Sequence, residues 1–366
     1  VRGRRDGPPG GGAAMSVPRI ETRLLLGPAD LPPTDDRFEV VGAFNPGAVR
    51  TPEGVVLLVR VAERPKERRP GFTGLPRWDP ALGPTIDWVP EADLDPVDAR
   101  VVRVRADGRV RLTFLSHLRV VRCGDGRRVH EVTAETFRPA AEAEEYGVED
   151  PRITPLGGRY YFTYVAVSRH GPATALASTS DFRGFTRHGV IFCPENKDVV
   201  LFPDRVGGSY AALHRPVCGT PFTRPEIWVA RSPDLVHWGG HAPLAVAGGD
   251  WQSGRVGAGA PPVRVEGGWL ELYHGNRRPT RPGEVGAYYG AALLLDPEDP
   301  ARVVRASRSP VLTPEADFEV AGFVPDVVFP TGVVRDSGSL LVYYGAADAC
   351  TAVVELSEGR VIESLG

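Results

Sequence analysis

The stretch Val148-Glu149-Asp150-Pro151-Arg152 sets a carboxylate between a second acid and an arginine, just ahead of the alternating run Arg159-Tyr160-Tyr161-Phe162-Thr163-Tyr164-Val165. An aspartate before proline is a common turn residue. A carboxylic acid whose surroundings tune its pKa can also protonate a leaving oxygen, and Glu149 and Arg152 are suited to tune this one. A basic series follows: Arg187 in FTRHG, Lys197 in ENKDVVLFP, His214-Arg215 in LHRP and His274 in YHG. Alone, each reads as a solvated charge or, for His274, a satisfied strand histidine. Together they read as donors for an oxyanion of phosphate size, which the planar fork of arginine suits. Arg60 and Arg64, in LLVRVAER, either pair with carboxylates such as Glu63 or grip hydroxyls or an anion.

Groups so far apart in the chain act together only if the fold gathers them. Five segments share one pattern: 44–64, 149–168, 197–216, 259–276 and 326–348. Each begins with a small or polar residue near a proline. A short apolar run, a glycine-containing turn, an alternating aromatic strand and a polar finish follow. Gly157-Gly158 is such a turn. A repeat of roughly 50–60 residues with about four strands predicts an all-β chain folded as a five-bladed β-propeller, its active site at the central channel. A β-sandwich, the rival fold, predicts no such recurrence. In a propeller the polar residues flanking the repeats, Asn45, Asp150, Lys197, His274 and Asp348, crowd one funnel. The first repeat carries an excursion from Pro65 to about Arg100, read as loops over one face. Trp78 and Trp88 within it are candidates for sugar stacking, though packing is the simpler account.

The bulk numbers agree with this reading. The chain has 366 residues, with 43 basic and 46 acidic side chains and a net charge of −3, so nothing pulls it toward nucleic acid or an anionic membrane. The 43 glycines and 36 prolines suit short strands and tight turns. No apolar run approaches the roughly 18–20 residues that span a bilayer. Cys123, Cys193, Cys218 and Cys350 form no CxxC pair. They support neither a disulfide framework nor a metal site, and a reduced, cytoplasmic protein is expected. The Gly/Pro/Arg-rich residues 1–16 read as a disordered tail, with a single domain over 17–366.

The segments GAFNPGAV…LLVRVAER, YGVEDPRIT, NKDVVLFPDRVGGSYAALHRP, RVGAGAPPVR…YHG and VVFPTG…LLVYYGAAD resemble glycoside hydrolase family 130, in family order from about residue 20 to the C-terminus. That family comprises β-mannoside phosphorylases and a smaller set of β-mannosidases on a five-bladed propeller. The resemblance implies that Asp150 is the single catalytic acid. It implies that Asn45, Arg60 and Asp348 hold the mannosyl unit, and that Lys197, Arg215, His274 and Arg187 hold inorganic phosphate. The substrates implied are a β-manno-oligosaccharide and phosphate, with no metal or organic cofactor; self-association is left open. An inverting hydrolase needs two carboxylates, whereas phosphate is already a nucleophile and needs only positioning. The basic set therefore favours inverting phosphorolysis, giving α-D-mannose 1-phosphate, over hydrolysis or mere glycan binding. LTFLSHLRVVRCGDGRRV, EYGVED and NKDVV look closest to members acting on β-1,2-mannosides, with β-1,4 second. Gln252, Arg169 and the basic loop 275–286 depart from the family pattern and bear on the leaving sugar.

Overall fold

A computed structural model of the chain describes residues 17–217, 222–246, 249–281 and 283–366. The expected tail and Cys218 lie outside the described residues. Among those described, the chain is predominantly β, and its α-helices are the short Asp317–Val320 and Glu358–Glu363.

Strands group into antiparallel sets of four in chain order. The first is Phe38–Thr51, Gly54–Pro65, Leu115–Cys123 and Glu131–Phe137; the second is Gly147–Leu156, Arg159–Ser168, Gly171–Thr179 and Thr186–Phe192. The third is Asn196–Leu201, Tyr210–Pro216, Ile227–Ser232 and Gly239–Leu244. In the fourth, Arg255–Ala258 and Val263–Val265 share one partner, Gly268–Asn276, with Tyr288–Leu295 and Val303–Ala306 beyond it. The fifth runs Val328–Asp336, Ser339–Ala346, Cys350–Ser357, and its fourth strand is Arg19–Leu26, from the other end of the chain. Gly157 and Gly158, at φ 57° and 78°, make the tight turn of the second set, a backbone that glycine adopts without steric cost.

The apolar core is a series of seams, because the inner strands of the five sets are buried on both faces, as in Gly54–Pro65 and Gly268–Asn276. Val49 and Leu58 pack with Val148 and Phe162; Leu176 packs with Val199 and Leu201; Val200 and Phe202 pack with Val256 and Trp269. Leu270 and Leu294 meet Val328 and Val342, and Leu341 and Tyr343 meet Val55 and Leu57, which closes the series on itself.

The first strands of the first three sets share a β-bulge at one place. Two residues, Asn45-Pro46, Asp150-Pro151 or Asp198-Val199, oppose a single partner residue. The leading residue is left-handed each time, with φ 49°, 49° and 54°. Asparagine and aspartate tolerate that region better than other side chains, and proline suits a bulge because its missing N–H leaves no gap in the ladder.

The excursion departs from expectation. It contains a hairpin, Phe72–Asp79 with Gly83–Pro90, and a three-stranded sheet, Leu94–Pro96, Val101–Val104 and Val110–Leu112. Leu75, Leu94 and Val102 give it a small core of its own, which is why it is ordered as strands rather than loops.

Candidate active site

A cavity of ≈ 350 Å³ is lined by Asn45, Arg60, Asp150, Lys197, Arg215, His274 and Asp348 together. That volume lies within the roughly 300–1,000 Å³ usual for small-ligand sites. The bulges aim Asn45, Asp150 and Asp198 into it. Asp348, at φ 49°, enters from the turn after Ser339–Ala346, and His274 from Gly268–Asn276.

Asp150 accepts hydrogen bonds at Oδ1 from Asn45 Nδ2 at 2.8 Å and from Arg60 Nη1 at 2.9 Å. Arg60 also donates to Glu149 at 2.6 Å and lies over the Phe44 ring. Glu149 therefore anchors the arginine that tunes Asp150. Burial pushes the Asp150 carboxyl up; Arg60, Arg152, Asn45 and Lys197 outweigh it and hold the group below the usual carboxylate range. Asp348 goes the other way, its carboxyl raised by burial against the pull of Arg100 and Arg60.

The cationic wall is built around a carboxylate that the sequence reading passed over. Asp198 takes Arg215 Nε at 2.6 Å and lies 3.4 Å from His274 Nε2 and 3.6 Å from Arg152 Nη2. Arg152 is buried and donates to the carbonyls of Asp150 at 2.7 Å and Gly259 at 2.5 Å. Lys197 makes no hydrogen bond or ion pair among the described residues. Burial lowers the pKa of its amine, as does Arg215, against the pull of Glu149, Asp150 and Asp198. Burial also keeps His274 below the ordinary histidine range, and its Nδ1 has no partner among the described residues.

Several expectations need correction. Arg187 is not in the cavity: it sits on the fourth strand of the second set, paired with Glu144 at 3.0 Å and stacked over Phe137. A residue on that outer strand cannot reach the inner edge. The repeats at 149 and 197 set Asp198, not Lys197, opposite Asp150, and the bulges agree; taking the cation Lys197 as the flanking residue of the third repeat passed over that carboxylate. His274 reaches the cavity from the strand Gly268–Asn276, and Asp348 from the turn after Ser339–Ala346. Trp78 and Trp88 lie outside the lining; Trp88 is stacked under Arg69. The excursion instead contributes Asp98 and Arg100. Arg100 binds Asp98 at 3.0 Å and faces Asp348 at 3.5 Å. No motif flagged that pair, because only the fold brings residue 100 beside residue 348.

Comparison with known proteins bears on what this cavity is. A glycoside hydrolase family 130 model, described as beta-1,4-mannooligosaccharide phosphorylase, matches residues 95–365. The chain belongs to that family. It is 37% identical over 358 residues to the beta-1,2-mannobiose phosphorylase of Listeria innocua, covering 96% of this chain and 99% of the relative. It is 34% identical over 247 residues to a 1,2-beta-oligomannan phosphorylase of Thermoanaerobacter sp., covering 66% of this chain and 79% of that one. The solved Listeria innocua enzyme in complex with beta-1,2-mannobiose superposes with a TM-score of 0.86, over 93% of this chain and 96% of that one.

Within this family 130 chain, two of the departures noted above sit away from the cavity lining. Gln252 is buried and accepts from Tyr273 Oη at 3.4 Å. Arg169 is paired with Glu145 at 2.8 Å. Of the basic loop, Arg277 pairs with Asp250 at 2.9 Å.

Proposed function

We propose that this protein is a glycoside phosphorylase that cleaves β-mannosides with inorganic phosphate, β-1,2-linked manno-oligosaccharides ahead of β-1,4. The observation that carries this reading is one cavity that holds Asp150, hydrogen-bonded to Asn45 and Arg60, together with Lys197, Arg215 and His274. The β-1,2 preference follows the relatives matched over most of the chain. The closed series of five sets is read as a five-bladed propeller with the cavity on its axis, residues 17–366 forming one domain. Among the described residues Cys123, Cys193 and Cys350 are free, which suits a reducing cytoplasm, and no helix is long and apolar enough to cross a membrane.

In the mechanism that follows, Asn45, Arg60 and Asp348 hold the mannosyl unit. Lys197, Arg215 and His274 hold phosphate beneath the anomeric carbon and offset its repulsion from nearby carboxylates. A phosphate oxygen attacks that carbon as the bond to the glycosidic oxygen breaks on the opposite face. Asp150 gives its proton to the 3-hydroxyl, which passes its own to the departing oxygen. A single displacement inverts the centre and yields α-D-mannose 1-phosphate and a shortened sugar, with no cofactor required. The test is incubation with β-1,2- and β-1,4-mannobiose, with and without phosphate. Mannose 1-phosphate formed only when phosphate is present is the expected result. Free mannose without phosphate would make the protein a hydrolase, and no product from either sugar would make it a glycan binder.

A further inference from the structure

We propose that Asp198 is the positioning residue of the phosphate cradle, orienting Arg215 and His274 and coupling them through Arg152 to the backbone of the acid. This inference rests on the phosphorylase reading.

The backbone gives the first reason. Asn45, Asp150 and Asp198 hold the same left-handed bulge position in consecutive sets. Strained non-glycine backbone of this kind gathers at functional sites. The first two members of the trio face the scissile bond in the mechanism above, and the third faces the cations. Its carboxylate is 2% exposed, yet three positively charged or protonatable groups converge on it. Such crowding of cations is tolerable only around a shared negative charge. By accepting from Arg215 Nε at 2.6 Å, Asp198 fixes the plane of that guanidinium. With His274 Nε2 at 3.4 Å from the same oxygen, it also orients the ring.

Gly257 gives the second reason. A Cβ at Gly257 would stand 2.5 Å from Asp198 Oδ2 and 2.6 Å from His274 Cε1. The φ of this glycine is not in the left-handed region, so its value here is space. The fold has cleared room for this carboxylate and this imidazole to meet.

The coupling is geometric. Arg152 reaches Asp198 from one end and donates to the Asp150 and Gly259 carbonyls from the others. Asp198 thus helps set how far the phosphate sits from the proton donor.

Asp198→Asn is the informative variant. Asparagine accepts the left-handed backbone and keeps one acceptor oxygen, while it removes the charge and turns an amide donor toward one side of the cradle. The Michaelis constant for phosphate should rise about 10–100-fold, the size of effect seen when a group that orients a ligand is lost. That for β-1,2-mannobiose should stay within about twofold. The melting-temperature rise that inorganic phosphate alone gives the unaltered protein should disappear. Gly257→Ala, which displaces the carboxylate but keeps its charge, should reproduce the phosphate defect, and it decides the matter if Asp198→Asn does not fold. An unchanged phosphate constant overturns the proposal, as does a mannobiose constant that rises equally, since that is a general structural loss. If the unaltered protein shows neither phosphate stabilisation nor phosphate-dependent cleavage, the phosphorylase reading itself fails.

Discussion

Charge is handled in opposite ways at the periphery of the sets and at the cavity. At the periphery arginines meet carboxylates in ordinary pairs. Arg335 grips Glu358 at 2.6 and 2.7 Å, Arg127 bridges Glu355 and Asp336 at 2.8 Å each, and Arg187 meets Glu144 at 3.0 Å. In the cavity Arg60 and Arg100 are paired with carboxylates, but around Asp198 the pairing is uneven. Arg152, Arg215 and His274 share one carboxylate, and Lys197 has none among the described residues. Completed pairs hold strands together and leave no field for a ligand. Buried cation beside a single carboxylate is costly until an anion arrives, so on the proposed reading this side of the cavity is the receptor for phosphate.

The contrast should break first at the acid. Asp150→Asn preserves the left-handed backbone but removes the proton, and should lower kcat by about 10²–10⁴ with little change in melting temperature. Asp348→Asn should act mainly on the Michaelis constant for mannobiose. If Asp348→Asn loses kcat while Asp150→Asn retains it, the more weakly acidic Asp348 is the donor and the assignment is reversed.

Lys197→Met should be next in size. With no bonded partner to abandon, it should weaken phosphate more than about tenfold while leaving thermal stability equal or higher, because a buried surplus charge is gone. A destabilised variant with normal phosphate kinetics would show that Lys197 belongs with the peripheral pairs after all.

How much of this was legible in the sequence follows the same division. The repeat exposed the strands because alternation and glycine turns are local signals, and it identified Asn45, Asp150 and Asp348 as convergent. Arg187 was misjudged because charge alone does not distinguish an outer strand from an inner one. Asp198 was missed because the third repeat was read for its cation, Lys197, although the same repeat sets Asp198 opposite Asp150. Arg100 carried no signal at all, since its meeting with Asp348 depends on how the excursion folds back.

The pH response should sharpen the comparison without changing the residues. Burial raises Asp150, but Arg60, Arg152, Asn45 and Lys197 together hold it low, so without bound phosphate it is ionised near neutrality and does not donate. Phosphate bound at Lys197 and Arg215 cancels that positive field and should raise the carboxyl, favouring the protonated form. Activity requires the proton, so the rate falls as pH rises through this group. The descending limb should therefore lie at higher pH in kcat, which reports the loaded enzyme, than in kcat/KM for phosphate, which reports the free one. Coincident limbs would mean that phosphate and Asp150 do not sense one another.

The smallest effect should come from the periphery, at Arg187. Its guanidinium stacks over Phe137 and donates to Glu144, whose side chain is only 2% exposed. Glu144 does not depend on it alone, because it also accepts from Tyr164 Oη at 2.6 Å and from Ala140 N at 2.7 Å. Arg187→Met keeps an unbranched apolar stem against the ring and removes the charge. The loss in denaturant unfolding should be roughly 1 kcal/mol, as for partly exposed pairs, with the phosphate constant unchanged. Arg187 and Lys197 would then form a double contrast, one cation spent on stability without binding and the other on binding without stability. A phosphate defect in Arg187→Met would erase it, and would require the anion field of the cavity to extend out to the fourth strand of the second set.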